Sequence, residues 1–237
     1  MNMVNNLLSA AKNPLSPHSL NYLSEITAAN FVELLRHLIS NANFMKETAE
    51  RSYSHALGFK KIVLAEGECG ERVRLHLWDE KGNACNIDNA DIHDHYWDFS
   101  SLVLEGCLYS RIYEMSETCG SQYYKISHTA RPNGDYLLNS DGSVDLKPIG
   151  DFIATKGQVH HLKSDELHSI VNKQYTITLV LQGPRQTKEN TIFRIKSLKC
   201  REESNIVKVP YLSLLTTIKQ VMNALNENPS NRVTGGF

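Results

Sequence analysis

The chain has 237 residues, a formal net charge of −1 and 41% apolar residues. This length and apolar content predict a single β-rich domain with a sizeable core. Because the charge is balanced and shows no basic block, nucleic acid and anionic membrane surfaces are not expected as partners. We expect a small-molecule substrate or a protein partner.

Five cysteines form no CxxC pair, and the stretch MNMVNNLLSAAKNPLS does not pair a basic start with a long apolar segment. The apolar runs are also far shorter than the ~20 residues needed to cross a bilayer. We therefore predict a cytoplasmic protein with reduced thiols.

The N-terminal region has helical spacing. In SLNYLSEITAANFVELLRHLIS, Leu34, Leu35 and Leu38 share one stripe behind Phe31. This pattern predicts two or three helices between Ser16 and Ala56, the first beginning at Ser16-Pro17, where a proline in the first turn loses no hydrogen bond. Residues 1–58 are predicted to be a helical segment packed on the domain that follows.

From Phe59 the apolar period changes to two. Strand-like runs separated by Gly, Asn and Asp are FKKIVLAEG, ERVRLHLWD, DIHDHYWDF, CLYSRIYEM, QYYKISHT, DFIATKGQVHHL, LHSIVNK, YTITLVLQG and NTIFRIKSL. So many short strands predict an antiparallel sandwich or barrel over residues 59–209. The "NG" and "DG" signals in RPNGDYLLNSDGSVDLKPIG predict a surface hairpin.

The last segment, residues 210–237, is predicted to be a helix on the outside of the barrel followed by a tail. PYLSLLTTIKQVMNALNENP is amphipathic. Its apolar stripe consists of Leu212, Leu215, Ile218, Val221 and Leu225. SNRVTGGF is predicted to fray.

Two histidines one residue apart stand in DIHDHYWDFSSLVLEG. In a strand, His93 and His95 would point to the same face and bring two imidazoles to one ion. Imidazole suits iron, zinc, copper or nickel. His168, in KSDELHSIVN, is the best candidate for a third ligand. A polar surface strand is the alternative for the pair alone, but the apolar residues that follow indicate burial, where unpaired imidazoles are costly.

These stretches resemble the two motifs of the cupin superfamily. "HDH" precedes a strand ending in "LEG", and "LHSIVN" places His168 and Asn172 in an H-x-x-x-N arrangement. The resemblance implies a mainly β fold, a cupin double-stranded β-helix or jelly-roll barrel, here with N-terminal helices and a C-terminal helix, that holds one metal ion. Most cupins have a glutamate shortly after the HxH, where Phe99 stands here, which implies a three-histidine site.

Within the cupins, the chain looks like the cysteine dioxygenase-like thiol dioxygenases. FKKIVLAEGECGERVRLHLW and GQVHHLKSDELHSIVN are similar to the segments around their two motifs, over roughly residues 59–114 and 156–183. The resemblance implies that His93, His95 and His168 bind Fe(II), and that Lys61 takes the place of the arginine that holds the substrate carboxylate. Lysine is a less directional anion ligand than arginine.

Two departures from that family concern its reactive side chains. Where thiol dioxygenases have a His and a Tyr one residue apart, this chain has Val180 and Gln182. The cysteine that becomes linked to that tyrosine has no counterpart, since Phe99 and Ser100 occupy its neighbourhood. Metal binding is therefore better supported by the sequence than thiol oxidation.

Other residues are candidates for the pocket. Arg72 and Arg74 are alternative anion-binding residues, although their shared face is expected to be solvated. Gln182 is a candidate substrate contact. Tyr96 could bring a hydroxyl to the site, and Asp98 could be a fourth ligand or orient an imidazole.

Four further residues are secondary candidates for the pocket or its wall. His160 and His161 face opposite sides of a strand, so one of them could line the pocket, but a surface position or a contact with a metal-binding side chain is favoured. His76 and Trp78 are expected in the barrel wall.

We interpret the sequence as a mononuclear Fe(II) dioxygenase that uses O₂ on a small anionic substrate, amino-acid-like or thiol-like. Three neutral imidazoles leave up to about three positions of an octahedral iron open. Two alternatives stay open: a non-redox isomerase or hydrolase with Zn, Ni or Mn, and a non-catalytic ligand-binding cupin. Ligand type alone does not separate iron from zinc. The protein is expected to be a monomer, or a homodimer formed through an edge strand.

Overall fold

The computed structural model describes residues 2–55, 58–78, 87–130, 136–172, 174–187, 189–195, 202–204 and 207–226. Within these ranges the helices are Asn2–Ala11 (α1), Pro17–Ser24 (α2), Ala28–Ile39 (α3), Ala42–Arg51 (α4) and Tyr211–Asn226 (α5). No helix in the described ranges is long and apolar enough to span a membrane.

The remaining regular structure is β. The described strands are Tyr53–Ser54 (β1), Phe59–Glu66 (β2), Arg72–Trp78 (β3), Ile92–His93 (β4), Phe99–Glu105 (β5), Cys107–Ser116 (β6), Ser121–Ala130 (β7), Tyr136–Thr155 (β8), Val159–Leu162 (β9), Leu167–Asn172 (β10), Thr176–Gln182 (β11), Asn190–Arg194 (β12), Glu202–Ser204 (β13) and Val207–Lys208 (β14).

The described strands form two antiparallel sheets of seven strands each. Sheet A has the order β14-β1-β2-β3-β11-β5-β9, and sheet B has the order β13-β8-β6-β10-β4-β12-β7. From β3 to β12 the chain alternates between the sheets, except that the three consecutive strands β6, β7 and β8 all belong to sheet B. This alternation is the connectivity of a jelly roll, so the predicted cupin-type barrel with N-terminal helices and a C-terminal helix is confirmed.

The helices begin where short polar side chains cap them. Ser16 accepts a hydrogen bond from the backbone N–H of Ser19, with Pro17 in the first turn, as predicted. Thr27 and Asn30 form a reciprocal capping box at the start of α3. Helix α1 was not among the predicted elements. It contacts β3 and β11, and Leu7 is buried in the resulting core.

The helices cover the outer face of sheet A. Buried side chains of α1–α5 and the outward residues of β2, β3, β5 and β11 form one hydrophobic core. For this reason β11 is buried at every position and β2 at every position except Lys60 and its last residue, Glu66. The alternate residues of these strands face the barrel interior.

The outer face of sheet B carries exposed apolar side chains instead. Met115, Ile149 and Ile153 are among its exposed large residues. Strand β6 accordingly mixes buried, intermediate and exposed positions. The two sheets therefore form very different walls around the same interior.

One prediction about local structure was wrong, and another was right except at its first residue. The "DG" at Asp141-Gly142 is not a hairpin turn, because β8 continues through it. The pairing of β7 with β8 shifts register there, and Gly142 has φ of +90°, as expected for a bulge. In α5 the predicted stripe is buried at Ile218, Val221 and Leu225, but Leu212 is 75% exposed and Leu214 is buried in its place.

Other predictions are not tested by the structure. The "NG" signal at residues 133–134 and the tail SNRVTGGF lie outside the described residues. The division into segments 1–58, 59–209 and 210–237 stays a prediction.

Candidate metal centre

Three histidines converge inside the barrel. The potential ligand nitrogens of His93, His95 and His168 all lie within 4.8 Å of one another. Their ring centroids are 5.0 Å apart for His93 and His95, 4.6 Å for His93 and His168, and 5.0 Å for His95 and His168. The sequence placed these residues together on motif spacing, and the structure brings all three to one point.

The way in which His93 and His95 meet differs from the prediction. They do not share a long strand, because β4 contains only Ile92 and His93. His93 is paired in register with His168 of β10. Beyond it, Asp94 accepts the backbone N–H of Thr191 through its carboxylate at 2.5 Å, and His95 N–H donates to the carbonyl of Ser164 at 3.0 Å. The chain is therefore held on two sides as it leaves the strand.

Hydrogen bonds determine which nitrogen of His168 can bind an ion. The Ser110 hydroxyl donates to the carbonyl of Ser169 at 2.9 Å and lies 3.1 Å from His168 Nδ1. Since its proton is used, Ser110 accepts from Nδ1–H. The lone pair is then on His168 Nε2, which is buried and has no hydrogen-bond partner among the described residues. Such an orphan acceptor suits a metal ion.

His93 has a similar arrangement. Its Nδ1 lies 3.3 Å from the carbonyl of Asp91, which can only accept, so Nδ1 carries the proton and Nε2 keeps the lone pair. In His95, Nδ1 is buried without a hydrogen-bond partner among the described residues. Two imidazoles thus have a defined tautomer, and the third has an unsatisfied nitrogen.

Burial keeps the imidazoles of His95 and His168 neutral. It lowers the pKa of His95 and of His168 well below the usual 6.5, and the neighbouring His93 lowers both further. Neutral imidazole is the metal-binding form. Among the described residues, the cluster contains three imidazoles and no carboxylate. A ligand set of this kind suits iron, zinc, copper or nickel. The residues present therefore fit a transition-metal ion.

Phe99 stands where most cupins have a glutamate, and its ring lies against the histidines. Its centroid is 4.8 Å from that of His95 and 6.4 Å from that of His168. The side chain is buried. It supplies an apolar wall to the cluster.

Tyr96 and Asp98, the predicted catalytic candidates, occupy different places. Tyr96 is buried and lines the cavity, with the Arg185 guanidinium 4.4 Å from its ring centroid. The Asp98 carboxylate accepts the backbone N–H of Ser164 and the side-chain N–H of Gln186, both at 2.8 Å. Asp98 is not among the residues that line the cavity. It ties together the loops beside the histidines.

The histidines open onto a cavity of about 400 Å³. Lys61, from β2, lines it and is only 6% exposed. Burial lowers the pKa of Lys61 from 10.5 to about 8, with Arg74 lowering it further and Tyr53 opposing the shift. The ammonium is therefore still charged at neutral pH.

Arg74 also faces the cavity, which corrects the expectation of a solvated face. It is 3% exposed, and its guanidinium carbon lies 5.2 Å from the centroid of the Trp97 ring. The prediction failed because the helices bury the outer face of β3, where Val73 and Leu75 lie, and leave Arg74 to the interior.

Arg72 and Gln182 lie outside the cavity lining. Arg72 forms a salt bridge with Glu66 at 2.7 Å. Gln182 is buried and donates to the carbonyl of Gly70 at 3.1 Å. Both side chains are thus engaged at the end of sheet A.

Other residues also line the cavity. His76 and Trp78, expected in the barrel wall, are among them, and of the two adjacent histidines it is His160 that lies in the lining. Burial lowers the pKa of His160 to about 4. Asp94 also lines the cavity, and burial raises its pKa to about 6. For His76 and Trp78, the sequence signal was the alternation in RVRLHLW, which places positions 74, 76 and 78 on one face of the strand.

No family model matches the sequence, and no curated protein matches it. Solved structures resemble it only distantly. A hydroquinone 1,2-dioxygenase, PnpCD, is 12% identical with a TM-score of 0.34, covering 61% of this chain and 72% of that one. A cupin-2 domain protein from Shewanella frigidimarina is 12% identical with a TM-score of 0.29, covering 53% and 79%.

A third similar structure is Drosophila melanogaster CENP-C bound to CAL1, 10% identical with a TM-score of 0.33, covering 66% of this chain and 96% of that one. Likeness at this level carries no argument about activity. Within the described residues, the fold and site by themselves define a jelly-roll barrel with three convergent histidines.

Proposed function

We propose that the protein is a mononuclear Fe(II) enzyme that oxidises a small anionic substrate with O₂. One observation carries the proposal: three convergent imidazoles, one buried and two half-buried, share a cavity with the buried side chains of Lys61 and Arg74. A metal-binding cluster and buried positive charge in one space suit a site that holds an acid beside a metal ion.

The ion would be held by His93, His95 and His168. Bound Fe(II) would supply the electron transfer to O₂ that amino-acid side chains do not provide. Ser110 orients His168 through Nδ1, and the carbonyl of Asp91 orients His93. These contacts keep the lone pairs aimed at one point before an ion arrives.

Lys61 and Arg74 would bind the acidic group of the substrate. Their charges are held inside the barrel, where an anion gains more from a cation than it does in water. Arg74 is stacked on Trp97, which restricts its guanidinium to one orientation. Together they would fix one end of the substrate relative to the histidines.

The cavity favours an acid other than cysteine. On β11, the positions that line it are Thr178 and Val180. Val180 stands in the run where thiol dioxygenases have their His and Tyr, so their tyrosine hydroxyl has no equivalent on this strand. Phe99 and Val180 instead make an apolar surface near the histidines and limit access of water.

The proposal is tested by purifying the full chain without a chelating tag, measuring bound metal, reconstituting with Fe(II) under anaerobic conditions and screening small acids in an oxygen electrode. We expect nearly one iron per chain and O₂ uptake that depends on one class of acid. His168→Ala should lose both, whereas His161→Ala, which changes an exposed histidine, should keep both.

Three outcomes contradict the proposal. Absence of metal would remove the site itself. Zinc, nickel or manganese bound tightly, with no O₂ uptake by the iron form, would indicate a non-redox isomerase or hydrolase. A ligand that is bound and recovered unchanged with every metal would indicate a binding protein.

A further inference from the structure

We propose that the cavity is built for an aromatic carboxylic acid, whose ring lies against Phe59 and Trp78 and whose carboxylate lies on Lys61 and Arg74. This inference rests on the proposed function, since it narrows the class of small acid to one. Four observations about the cavity carry it: the order of its layers, its aromatic end, its charges and its volume.

Strand register arranges the wall from sheet A in layers. Phe59 lies opposite Trp78, and Lys61 lies opposite His76 in the next inward layer. Arg74 follows on β3, opposite Val180 of β11. Val180 is paired in turn with Ser101 of β5. Phe99, whose ring lies against His95, is the next residue on the same face of β5. The cations therefore stand between an aromatic end and the histidines.

The end of the cavity beyond Lys61 is aromatic and apolar. The ring centroids of Phe59 and Trp78 are 4.2 Å apart, and Phe59 is also 4.6 Å from His76. Leu108 and Ile170 of sheet B pack against the two rings. All of these residues line the cavity. A flat ring gains more here than an alkyl chain of similar size, because aromatic rings pack edge-to-face with one another.

Trp78 also has an unused polar atom. The residue is 2% exposed, and its indole Nε1–H has no acceptor among the described residues. A buried donor without an acceptor is costly. A ligand that places an electron-rich ring or an oxygen next to this N–H would relieve the cost.

The charges beside the aromatic end call for an anion. Lys61 lies opposite His76, and Arg74 is one inward position beyond His76 on the same strand, so both cations line neighbouring parts of the cavity. Two cations that repel each other inside a barrel are stabilised by an anion between them. A carboxylate attached to the ring meets both requirements with one group, and the carboxylate then lies on the histidine side of the ring.

The volume agrees with a ligand larger than cysteine. At about 30 Å³ for each water molecule, a cavity of about 400 Å³ would hold roughly a dozen waters. This size lies within the usual range of sites for organic ligands. A cysteine-sized acid would leave the Phe59 and Trp78 end empty, whereas an aryl acid reaches from that end to the histidines.

Calorimetric titration of the full chain, freed of metal, with phenylacetate tests the inference. Acetate lacks the ring, cyclohexylacetate replaces it with a non-aromatic ring, and phenylacetamide lacks the charge. We expect phenylacetate to bind at least about tenfold more tightly than each of the three. Lys61→Met should remove the advantage over phenylacetamide, whereas the matched variant Lys60→Met, on the exposed side of the same strand, should preserve it.

Phe59→Leu checks the aromatic end. It should reduce the preference for phenylacetate over cyclohexylacetate and leave the preference over phenylacetamide unchanged. Unchanged circular dichroism and melting temperature show that each variant is folded. Equal or tighter binding of cyclohexylacetate or phenylacetamide by the wild type, or no binding of phenylacetate at all, would overturn the inference.

Failure of this inference can be told from failure of the proposed function, because binding is measured without metal. Phenylacetate binding by a protein that takes up no iron would remove the function and keep the aromatic site. Iron-dependent O₂ uptake with a non-aromatic acid, and no affinity for phenylacetate, would support the proposed function and contradict the aromatic site.

Discussion

The two walls of the barrel differ in what lies behind them. Sheet A is covered by the helices, so its central strands are buried on both faces. Sheet B has an outer face on which Ile153, 61% exposed, and other apolar side chains meet solvent. Sheet B and the segment after β4 carry the histidines, whereas sheet A carries Lys61 and Arg74.

This difference explains how a buried charge is maintained. A cation inside a barrel is tolerated when the strand that carries it is held by packing on its other face. In β3, Leu75 packs into the helical core directly after Arg74. Sheet A therefore serves as a rigid support for charge, whereas sheet B and the segment after β4 hold the three histidines, and the outer face of sheet B meets solvent.

The largest effect is expected from loss of a ligand in sheet B. His168→Ala should reduce the affinity for Co(II), used as a spectroscopic probe, by more than about a hundredfold, since changes to residues that merely orient a ligand already cost ten- to hundredfold. The absorption of bound Co(II) measures this. Retention of tight Co(II) binding would show that the cluster is not a metal site.

The two outer faces should respond very differently to truncation. Leu179→Ala, under the helices, should lower the free energy of unfolding by about 2–5 kcal/mol, because it opens a cavity in a packed core. Ile153→Ala, on the exposed face, should change it by less than about 0.5 kcal/mol. Urea denaturation of both variants measures these changes. Equal losses in the free energy of unfolding would contradict the difference between the two outer faces.

The buried charge of sheet A should appear in the pH dependence of stability. The pKa of Lys61 is about 8 in the folded protein and 10.5 when unperturbed. Between these values the unfolded chain binds more protons, so this residue makes the free energy of unfolding rise with pH, by up to about 3 kcal/mol. Below about pH 8 both states are protonated, and the cost of burying the charge is fully present.

Urea denaturation between pH 7 and pH 10 separates this contribution from other titrating groups. The rise should be absent in Lys61→Met relative to the wild type and present in Lys60→Met. Identical pH dependence in the wild type and Lys61→Met would mean that Lys61 is solvated rather than buried.

The smallest effect is expected from the residue that orients His168. Ser110→Ala removes the acceptor of Nδ1–H and should weaken Co(II) binding by about ten- to hundredfold while the protein stays folded. Ser164→Ala is the control. Ser164 lies in the loop beside His95, and its hydroxyl is 3.4 Å from the Gln186 side chain and is not bonded to a histidine. If Ser164→Ala weakened binding as much, a specific role for Ser110 would be contradicted.

Periodicity and motif spacing determined much of this molecule. The change from helical to two-residue period at Phe59 predicted the β fold, and the Ser16-Pro17 start was confirmed by its cap. The one-residue spacing of His93 and His95 predicted that these two act together, whereas His168 was added by the resemblance to the second cupin motif; the structure brings all three together. These features are local, or repeat at short range, so they can be read without knowing which surfaces meet.

Tertiary structure decided what the short patterns leave open. In RVRLHLW, alternation separates Arg74, His76 and Trp78 from Val73, Leu75 and Leu77, but it does not say which set faces the interior. The helices decide, because they take the leucine and valine face into their own core and turn Arg74 inward. Likewise, His95 meets His168 through backbone bonds to distant chain segments, which no local pattern encodes.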